Sequence, residues 1–82
     1  MIIEEYATTD IVLASCLKYF GFNLSRIQTQ GKRGIFYFYA VEKQFLENFD
    51  KNLVSVEPIK FHSILKQLNI AVRRQVDIGG SS

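Results

Sequence analysis

The chain has 82 residues, of which 48% are hydrophobic and 22% are charged. These proportions are those of ordinary globular proteins, so disordered, collagen-like and transmembrane classes are excluded. Ten lysines and arginines stand against eight acidic residues, and the net charge of +2 is too small to indicate a dedicated duplex-DNA-binding protein. We expect one domain over residues 1–78, followed by a flexible tail at residues 79–82 with the Gly-Gly-Ser-Ser composition of a linker.

The cysteine and histidine counts narrow the class of protein further. Cys16 is the only cysteine, whereas a small protein in an oxidising compartment usually has several, so we expect a cytoplasmic protein. A structural zinc site needs about four ligands from cysteine, histidine or carboxylate, and with one cysteine and one histidine we expect no metal and no cofactor. The N-terminal sequence does not resemble a signal peptide, and we expect no association with a membrane.

A short strand and a helix are the first predicted elements. Residues 2–6 favour a strand only weakly because they contain two adjacent glutamates, and its pairing stays open. The sequence Thr8-Thr9-Asp10 is typical of a helix start, since a threonine hydroxyl can accept free backbone N–H groups and Asp10 places negative charge at the positive end of the helix dipole. We expect this helix to continue to about Phe20, with Gly21 as its left-handed stop.

A β-hairpin follows, with strands over residues 24–30 and 35–40. Between them the sequence Gly-Lys-Arg-Gly at residues 31–34 favours a four-residue loop. After the hairpin, residues 42–48 have helical composition, with Val41 and Phe45 at helical spacing, and residues 53–56 are predicted as a short extended segment.

The last helix has the clearest amphipathic pattern. Pro58 fits its first turn, where a missing N–H costs nothing. Five apolar residues then repeat at helical spacing: Phe61, Ile64, Leu65, Leu68 and Val72. The opposite side carries a polar stripe with two fixed positive charges: His62, Lys66, Asn69 and Arg73, flanked by Arg74.

These elements predict a small single α+β domain: a helix, an antiparallel β-hairpin with an optional short N-terminal strand, and two helices packed on the sheet. The predicted core comprises Leu13, Leu17, Phe20, Ile27, Phe36, Phe38, Phe45, Phe61, Ile64, Leu65 and Leu68.

The second hairpin strand has two apolar faces. Alternation places Phe36 and Phe38 on one face and Ile35, Tyr37 and Tyr39 on the other. If helices cover only the phenylalanine face, Ile35 and the tyrosines form an exposed patch that marks a partner or self-association surface. If another layer covers them, they are core residues with hydrated hydroxyls. Both alternatives remain open at the level of sequence.

Three blocks carry a family resemblance: Tyr-Ala-Thr-Thr-Asp-Ile-Val-Leu-Ala at residues 6–14, the hairpin from Arg26 through Gly-Lys-Arg to Phe-Tyr-Phe at residues 36–38, and Val-Glu-Pro at residues 56–58 with Phe61 and Leu68. Over roughly residues 5–74 the chain resembles an uncharacterised bacterial and phage family, the domain of unknown function 5659. The resemblance implies an α+β fold and supplies no activity. Glu57 stands where an aspartate is expected, and because glutamate is a poor N-cap we expect weaker capping of the last helix.

The hairpin also resembles the aromatic strand of an RNA recognition motif. In that motif a basic-Gly pair precedes alternating aromatic residues that stack on bases. Two positions depart from the pattern, because Phe36 replaces a required small residue and Ala40 stands where another aromatic belongs. A packed hairpin is therefore favoured over base stacking.

Single reactive residues do not indicate an enzyme. Cys16 lies on the predicted buried side of the first helix, where a cysteine behaves as a small inert hydrophobe. His62 lies on the polar side of the last helix, with no cysteine or aspartate at ligand spacing. No nucleophile, base and orienting group come together, and no glycine loop matches a phosphate cradle, so we expect no catalysis.

The leading hypothesis is a small non-catalytic binding module, with nucleic acid as the first partner to test. Its candidate contacts are the aromatic and basic residues Arg26, Lys32, Arg33, Tyr37, Tyr39, Lys66, Arg73 and Arg74. The alternative is an oligomerising or adaptor domain that meets a protein partner, or a second copy in a homodimer, through Ile35, Tyr37 and Tyr39.

Overall fold

The order of elements along the chain is β-α-β-β-α-α. The computed structural model describes the backbone of residues 2–80 and the side chains of residues 2–76. Its elements are β1 (Ile2–Thr8), α1 (Ile11–Tyr19), β2 (Leu24–Gln30), β3 (Arg33–Glu42), α2 (Lys43–Asp50) and α3 (Pro58–Gly80). The strands form one three-stranded antiparallel sheet in the order β1-β3-β2, and the helices pack on it. The predicted α+β class is therefore confirmed.

The N-terminal strand left open by the sequence forms and is longer than residues 2–6. β1 pairs with β3 from Ile2 opposite Glu42 to Thr8 opposite Phe36. Tyr6 and Thr8 turn toward the helices while Ala7 between them is exposed, as a half-buried strand requires. The central position of β3 follows from this pairing.

The start of α1 lies where the sequence places it, but the capping group differs from the expected threonine. The carboxylate Oδ1 of Asp10 accepts the backbone N–H groups of Val12 at 2.9 Å and Leu13 at 3.3 Å. Thr8 instead accepts the N–H of Asp10 itself through its hydroxyl at 3.1 Å. Gly21 follows the helix with φ +93°, a conformation that other residues rarely adopt.

The hairpin loop has two residues rather than the predicted four. Gln30 pairs with Arg33, which leaves Gly31 and Lys32 as the turn, and Gly31 has φ +64°. Positive φ at the first loop residue is typical of the primed turns that match the twist of hairpin strands. Gly34 therefore belongs to β3, where it is buried.

Near its end, β3 reverses the face that it buries. Phe36 and Phe38 are buried, Tyr39 and Ala40 are both exposed, and Val41 is buried again. Ala40 has φ +52°, in the left-handed region, and this single residue breaks the alternation. Val41 thus joins the core from a strand, whereas helical spacing was expected to place it with α2.

The core lies between the sheet and the helices. Of the predicted core, Leu13, Leu17, Phe36, Phe38 and Leu68 are buried, and Ile27, Phe45 and Ile64 pack against them. Phe20 is not a core residue, because it is 46% exposed and makes edge contacts with the rings of Tyr19 and Phe45. Phe61 and Leu65 are partly buried outside this central cluster.

The α2–α3 connection contains no strand, although residues 53–56 were predicted as extended. Glu57 caps α3 with both carboxylate oxygens, Oε1 accepting the N–H of Ile59 at 3.1 Å and Oε2 that of Lys60 at 2.7 Å. Glu57 therefore does cap α3, although glutamate was expected to cap it more weakly than aspartate. Of the predicted tail, residues 79–80 lie within α3, and residues 81–82 lie outside the described part of the chain.

Candidate interaction surfaces

The three helices contact the phenylalanine face of the sheet, and within the described part of the chain the other face is uncovered. Alternation on the three strands places seven side chains there: Glu5, Ala7, Arg26, Gln28, Ile35, Tyr37 and Tyr39. We call this set the open sheet face. Of the two arrangements that the sequence left open for the tyrosines, the geometry matches the one with helices on a single side.

Tyr39 is the most prominent aromatic residue of the open sheet face. It lies on the central strand opposite Glu5 and is 53% exposed. The neighbouring pair on the same face is Ala7 opposite Tyr37. A half-exposed tyrosine on a rigid central strand is a ready contact for a partner.

Tyr37 is engaged within the molecule. The guanidinium carbon of Arg26 lies 4.2 Å from the centroid of the Tyr37 ring, a cation–π contact. The Tyr37 hydroxyl donates to Oε1 of Gln28 at 3.0 Å. One face of the ring and its polar end are thus occupied, which leaves Tyr39 as the freer of the two tyrosines.

Glu5, on β1, contacts Arg26 from the opposite side of the open sheet face. Glu5 was not identified as a candidate contact residue from the sequence. Its Oε2 lies 3.7 Å from Nη1 of Arg26 and accepts a hydrogen bond from the Ser25 hydroxyl at 3.4 Å. The register of β2 against β3 shifts between Leu24 and Arg26, so Ser25 forms a bulge. Residues 20 positions apart meet across the central strand. Only the strand order reveals this contact.

The predicted basic residues separate into groups. Lys32 and Arg73 come together with Val72 and Val76 around a cleft of about 300 Å³ between the hairpin tip and α3, which we call the tip cleft. Arg26 lies on the open sheet face, and Arg33 is exposed at the start of β3. Lys66 is exposed on α3 about 10 Å from Arg73 along the helix axis, since seven residues rise roughly 1.5 Å each, and Arg74 is exposed beside Arg73.

Gly34 explains how the hairpin tip reaches α3. A Cβ atom at this position would lie 2.5 Å from Cγ2 of Val72, so only a glycine permits this approach without displacement. The close contact holds Lys32 near Arg73 and thereby forms the tip cleft.

A second cleft, of about 270 Å³, lies between α1, the end of α2 and the start of α3. Its lining is mostly apolar: Val12, Cys16, Phe49, Asn52, Val54, Val56 and Phe61.

The Cys16 thiol has a raised pKa. Burial is the main cause, and the negative charge of Asp10 is the second. A protonated, buried thiol is a poor nucleophile, which agrees with the inert role expected for this residue.

His62 is exposed on the polar side of α3, together with Lys66, Asn69 and Arg73, as predicted. In the part of the chain that the structure describes, no three His, Cys, Asp or Glu side chains gather closely enough to hold a metal ion. Within residues 2–80, no helix combines the length and apolarity that crossing a membrane requires.

Comparison with protein-family models, with curated proteins and with solved structures gave no match to this chain. Candidate surfaces are therefore ranked on their geometry alone. The open sheet face presents an exposed aromatic residue, Tyr39, on the central strand. The tip cleft brings together two positively charged side chains, Lys32 and Arg73.

Proposed function

We propose that this chain is a small non-catalytic binding module whose contact surface is the open sheet face. The observation that carries the proposal is the 53% exposure of Tyr39 on the central strand of the sheet, on the face opposite the one against which the described helices pack. An exposed aromatic residue with apolar neighbours forms an apolar surface patch, and such patches often mark interaction sites. Tyrosine is also enriched in protein interfaces.

The neighbours of Tyr39 support a protein partner. Ile35, Tyr37 and Ala7 provide apolar surface around it, while Glu5, Arg26 and Gln28 provide a polar rim. The rim is already ordered, because Arg26 contacts both Tyr37 and Glu5. An ordered rim loses less side-chain entropy on association, which favours binding.

We propose no catalytic activity for this chain. The raised pKa of Cys16 opposes its use as a nucleophile, and His62 is exposed on a polar helix side. A lone cysteine kept buried and protonated fits the reducing cytoplasm, where we place the protein. The resemblance to the domain of unknown function 5659 stays a prediction and adds no activity.

Nucleic acid is the second candidate partner, favoured by the tip cleft. Lys32 and Arg73 converge there, and Arg33, Arg74 and Lys66 are exposed on neighbouring parts of β3 and α3. Phosphate groups bound by such side chains would give affinity that falls steeply with salt. A base would stack on Tyr39 rather than Tyr37, because Arg26 occupies one face of the Tyr37 ring.

Site-specific photo-crosslinking in cells tests the primary proposal. A photoreactive phenylalanine analogue at position 39 is expected to form a covalent adduct with a protein. The same analogue at the exposed position 66 on α3 is the matched control and is expected to form little or none. Absence of any protein adduct at position 39, or equal labelling at both positions, contradicts the proposal.

A salt titration tests the second candidate. Fluorescence anisotropy with single-stranded and duplex oligonucleotides should show binding at about 50 mM salt, with a log–log slope that falls by about 2 when Lys32→Glu and Arg73→Glu are combined. Lys18→Glu, an exposed charge reversal on α1, is the matched control and should leave the slope unchanged. Failure of the unaltered protein to bind either oligonucleotide removes this candidate.

A further inference from the structure

We propose that the tip cleft is a binding site for a small amphiphilic anion, a molecule with an anionic head group and a short apolar tail. Lys32 and Arg73 provide positive charge for the head group, and Val72 and Val76 provide an apolar wall for the tail. The cleft lies beside α3, on the side of the sheet against which the helices pack, so it is separate from the open sheet face. Binding there goes beyond the protein partner proposed for that face.

The shape of the cleft comes from the close contact between the hairpin and α3. A Cβ atom at Gly34 would lie 2.5 Å from Cγ2 of Val72, so β3 approaches the helix this closely only because the residue is a glycine. Lys32, two residues before Gly34, is thereby held beside α3, where it lines the cleft together with Arg73. The hairpin turn and one stretch of α3 are thus the opposite walls of a site that exists before any ligand binds.

Val72 and Val76 form the apolar wall because they lie one turn apart on α3. Both are half-buried, and Val72 also packs against the hydrophobic core. A bare phosphate ion in the cleft would leave the exposed parts of these two side chains in contact with water. A ligand that carries an apolar segment next to its charge covers them, and the removal of that surface from water stabilises the complex.

The charge around the cleft selects an anion. The segments that provide its walls, residues 24–41 and 58–76, contain lysines and arginines but no aspartate or glutamate, and Asp77 is the next acidic residue along α3. The remaining acidic residues all lie within residues 4–10 and 42–57. Such a concentration of positive charge attracts anions. The long stems of Lys32 and Arg73 allow both charged ends to turn toward one head group, and a guanidinium binds carboxylate or phosphate with two parallel hydrogen bonds.

The volume of the cleft limits the size of the ligand. About 300 Å³ is at the small end of the range for ligand clefts. It corresponds to about ten non-hydrogen atoms, if each takes the roughly 30 Å³ of a water molecule in the liquid. An anionic head group with a tail of roughly six carbons has this size. Because Lys32 and Arg73 are exposed and the cleft opens to solvent, we expect a dissociation constant of about 0.1–1 mM.

An NMR titration of the isotope-labelled protein tests the site. Hexanoate and hexyl phosphate are the probes, and each should shift the backbone amide signals of residues 31–32 and 72–76 with a dissociation constant of about 0.1–1 mM. The probe that binds more tightly identifies the head group as a carboxylate or a phosphate. Hexan-1-ol, acetate and inorganic phosphate each carry only one half of the ligand and should bind at least about 10-fold more weakly.

Matched variants assign the two halves of the site. Lys32→Gln combined with Arg73→Gln should weaken hexanoate binding about 10-fold at low salt. Lys18→Gln combined with Lys66→Gln removes the same net charge from exposed positions elsewhere and should change the affinity by less than about 2-fold. Val76→Thr keeps the size of the side chain but adds a hydroxyl, so it should weaken hexanoate binding and leave inorganic phosphate unaffected. The amide spectrum of each variant shows whether it is folded.

Several results would overturn this site. They are no shift at residues 31–32 and 72–76 with either probe at about 10 mM, shifts at residues 35–39 in their place, and equal losses of affinity in the two double variants. Binding of hexan-1-ol or inorganic phosphate as tight as that of the probes also overturns it. A single-stranded oligonucleotide that shifts the same cleft amides at a concentration about 100-fold lower assigns the cleft to nucleic acid instead. Photo-crosslinking at position 39 is independent of all these outcomes, so the protein partner of the open sheet face is tested separately.

Discussion

The guanidinium carbon of Arg26 lies 4.2 Å from the centroid of the Tyr37 ring, and the same side chain reaches Glu5 on the far strand at 3.7 Å. Arg26 thus bridges all three strands across the open sheet face. This bridge orders the face and makes the two tyrosines unequal, since Tyr37 is engaged and Tyr39 is free for a partner.

A double-mutant cycle measures this contact. Arg26→Ala and Tyr37→Leu should each destabilise the fold, and their coupling free energy should be about 0.5–1 kcal/mol, as for other exposed cation–π pairs. Urea unfolding of the four proteins gives the coupling. Arg33→Ala with Tyr39→Leu is the matched control pair, with an expected coupling near zero. A coupling no larger for Arg26 and Tyr37 than for the control pair would contradict the contact.

Replacement of Gly34 tests the approach of the hairpin to α3. Gly34→Ala places a methyl group 2.5 Å from Cγ2 of Val72 and should reduce the free energy of unfolding by about 1–3 kcal/mol. In a Val72→Ala background the same change should cost less than about 1 kcal/mol, because the opposing methyl groups are gone. Chemical denaturation measures both costs. Equal costs in the two backgrounds would show that the contact does not limit position 34.

The cap of α3 predicts an order among substitutions of Glu57. Glu57→Ala removes the acceptors for two backbone N–H groups and should cost about 1 kcal/mol, whereas Glu57→Asp keeps a strong capping carboxylate and should cost much less. Thermal and urea unfolding give these values. Glu47→Ala, an exposed glutamate within α2, is the control and should change the free energy of unfolding by less than about 0.5 kcal/mol. The capping role is refuted if Glu57→Ala is as mild as Glu47→Ala.

Cys16 predicts a loss of stability at alkaline pH. Burial raises the pKa of its thiol, so the folded state holds the proton more tightly than the unfolded state. The resulting stabilisation is fully present below the unfolded pKa, roughly 8.5, and is lost as pH rises through the higher folded pKa. Cys16→Ala removes this titration.

Urea unfolding at several pH values compares the two proteins. The free energy of unfolding should fall more steeply above about pH 8.5 in the unaltered protein than in Cys16→Ala, because Tyr6, whose pKa is also raised, titrates in both. A thiol reagent should in addition label Cys16 far more slowly in the folded protein than in denaturant. Parallel pH dependences, or rapid labelling of the folded protein, would contradict the burial of this thiol.

The elements governed by local chemistry could be predicted from sequence. Asp10 begins α1, Gly21 follows its end, and alternation along β3 separates Phe36 and Phe38 from the tyrosines, because capping, left-handed glycine and strand periodicity depend on near neighbours. The uncovered position of Tyr39 was one of two arrangements consistent with the sequence, since exposure depends on which face the helices select.

Features that depend on distant residues could not be predicted. The positive φ of Ala40 carries no marker in the sequence, so Val41 appeared to belong to the following helix. Gly34 was interpreted as a loop residue because the sequence does not reveal that Val72 approaches it. The contact of Arg26 with Glu5 requires both the strand order and the bulge at Ser25.

The most direct test of the open sheet face as the contact surface is hydroxyl-radical footprinting of Tyr39 in intact cells and in dilute purified protein. His62, exposed on the far side of α3, is the internal reference. We predict that oxidation of Tyr39, relative to His62, is several-fold lower in cells, because a partner covers the face. Equal relative oxidation of Tyr39 in both conditions would contradict the account.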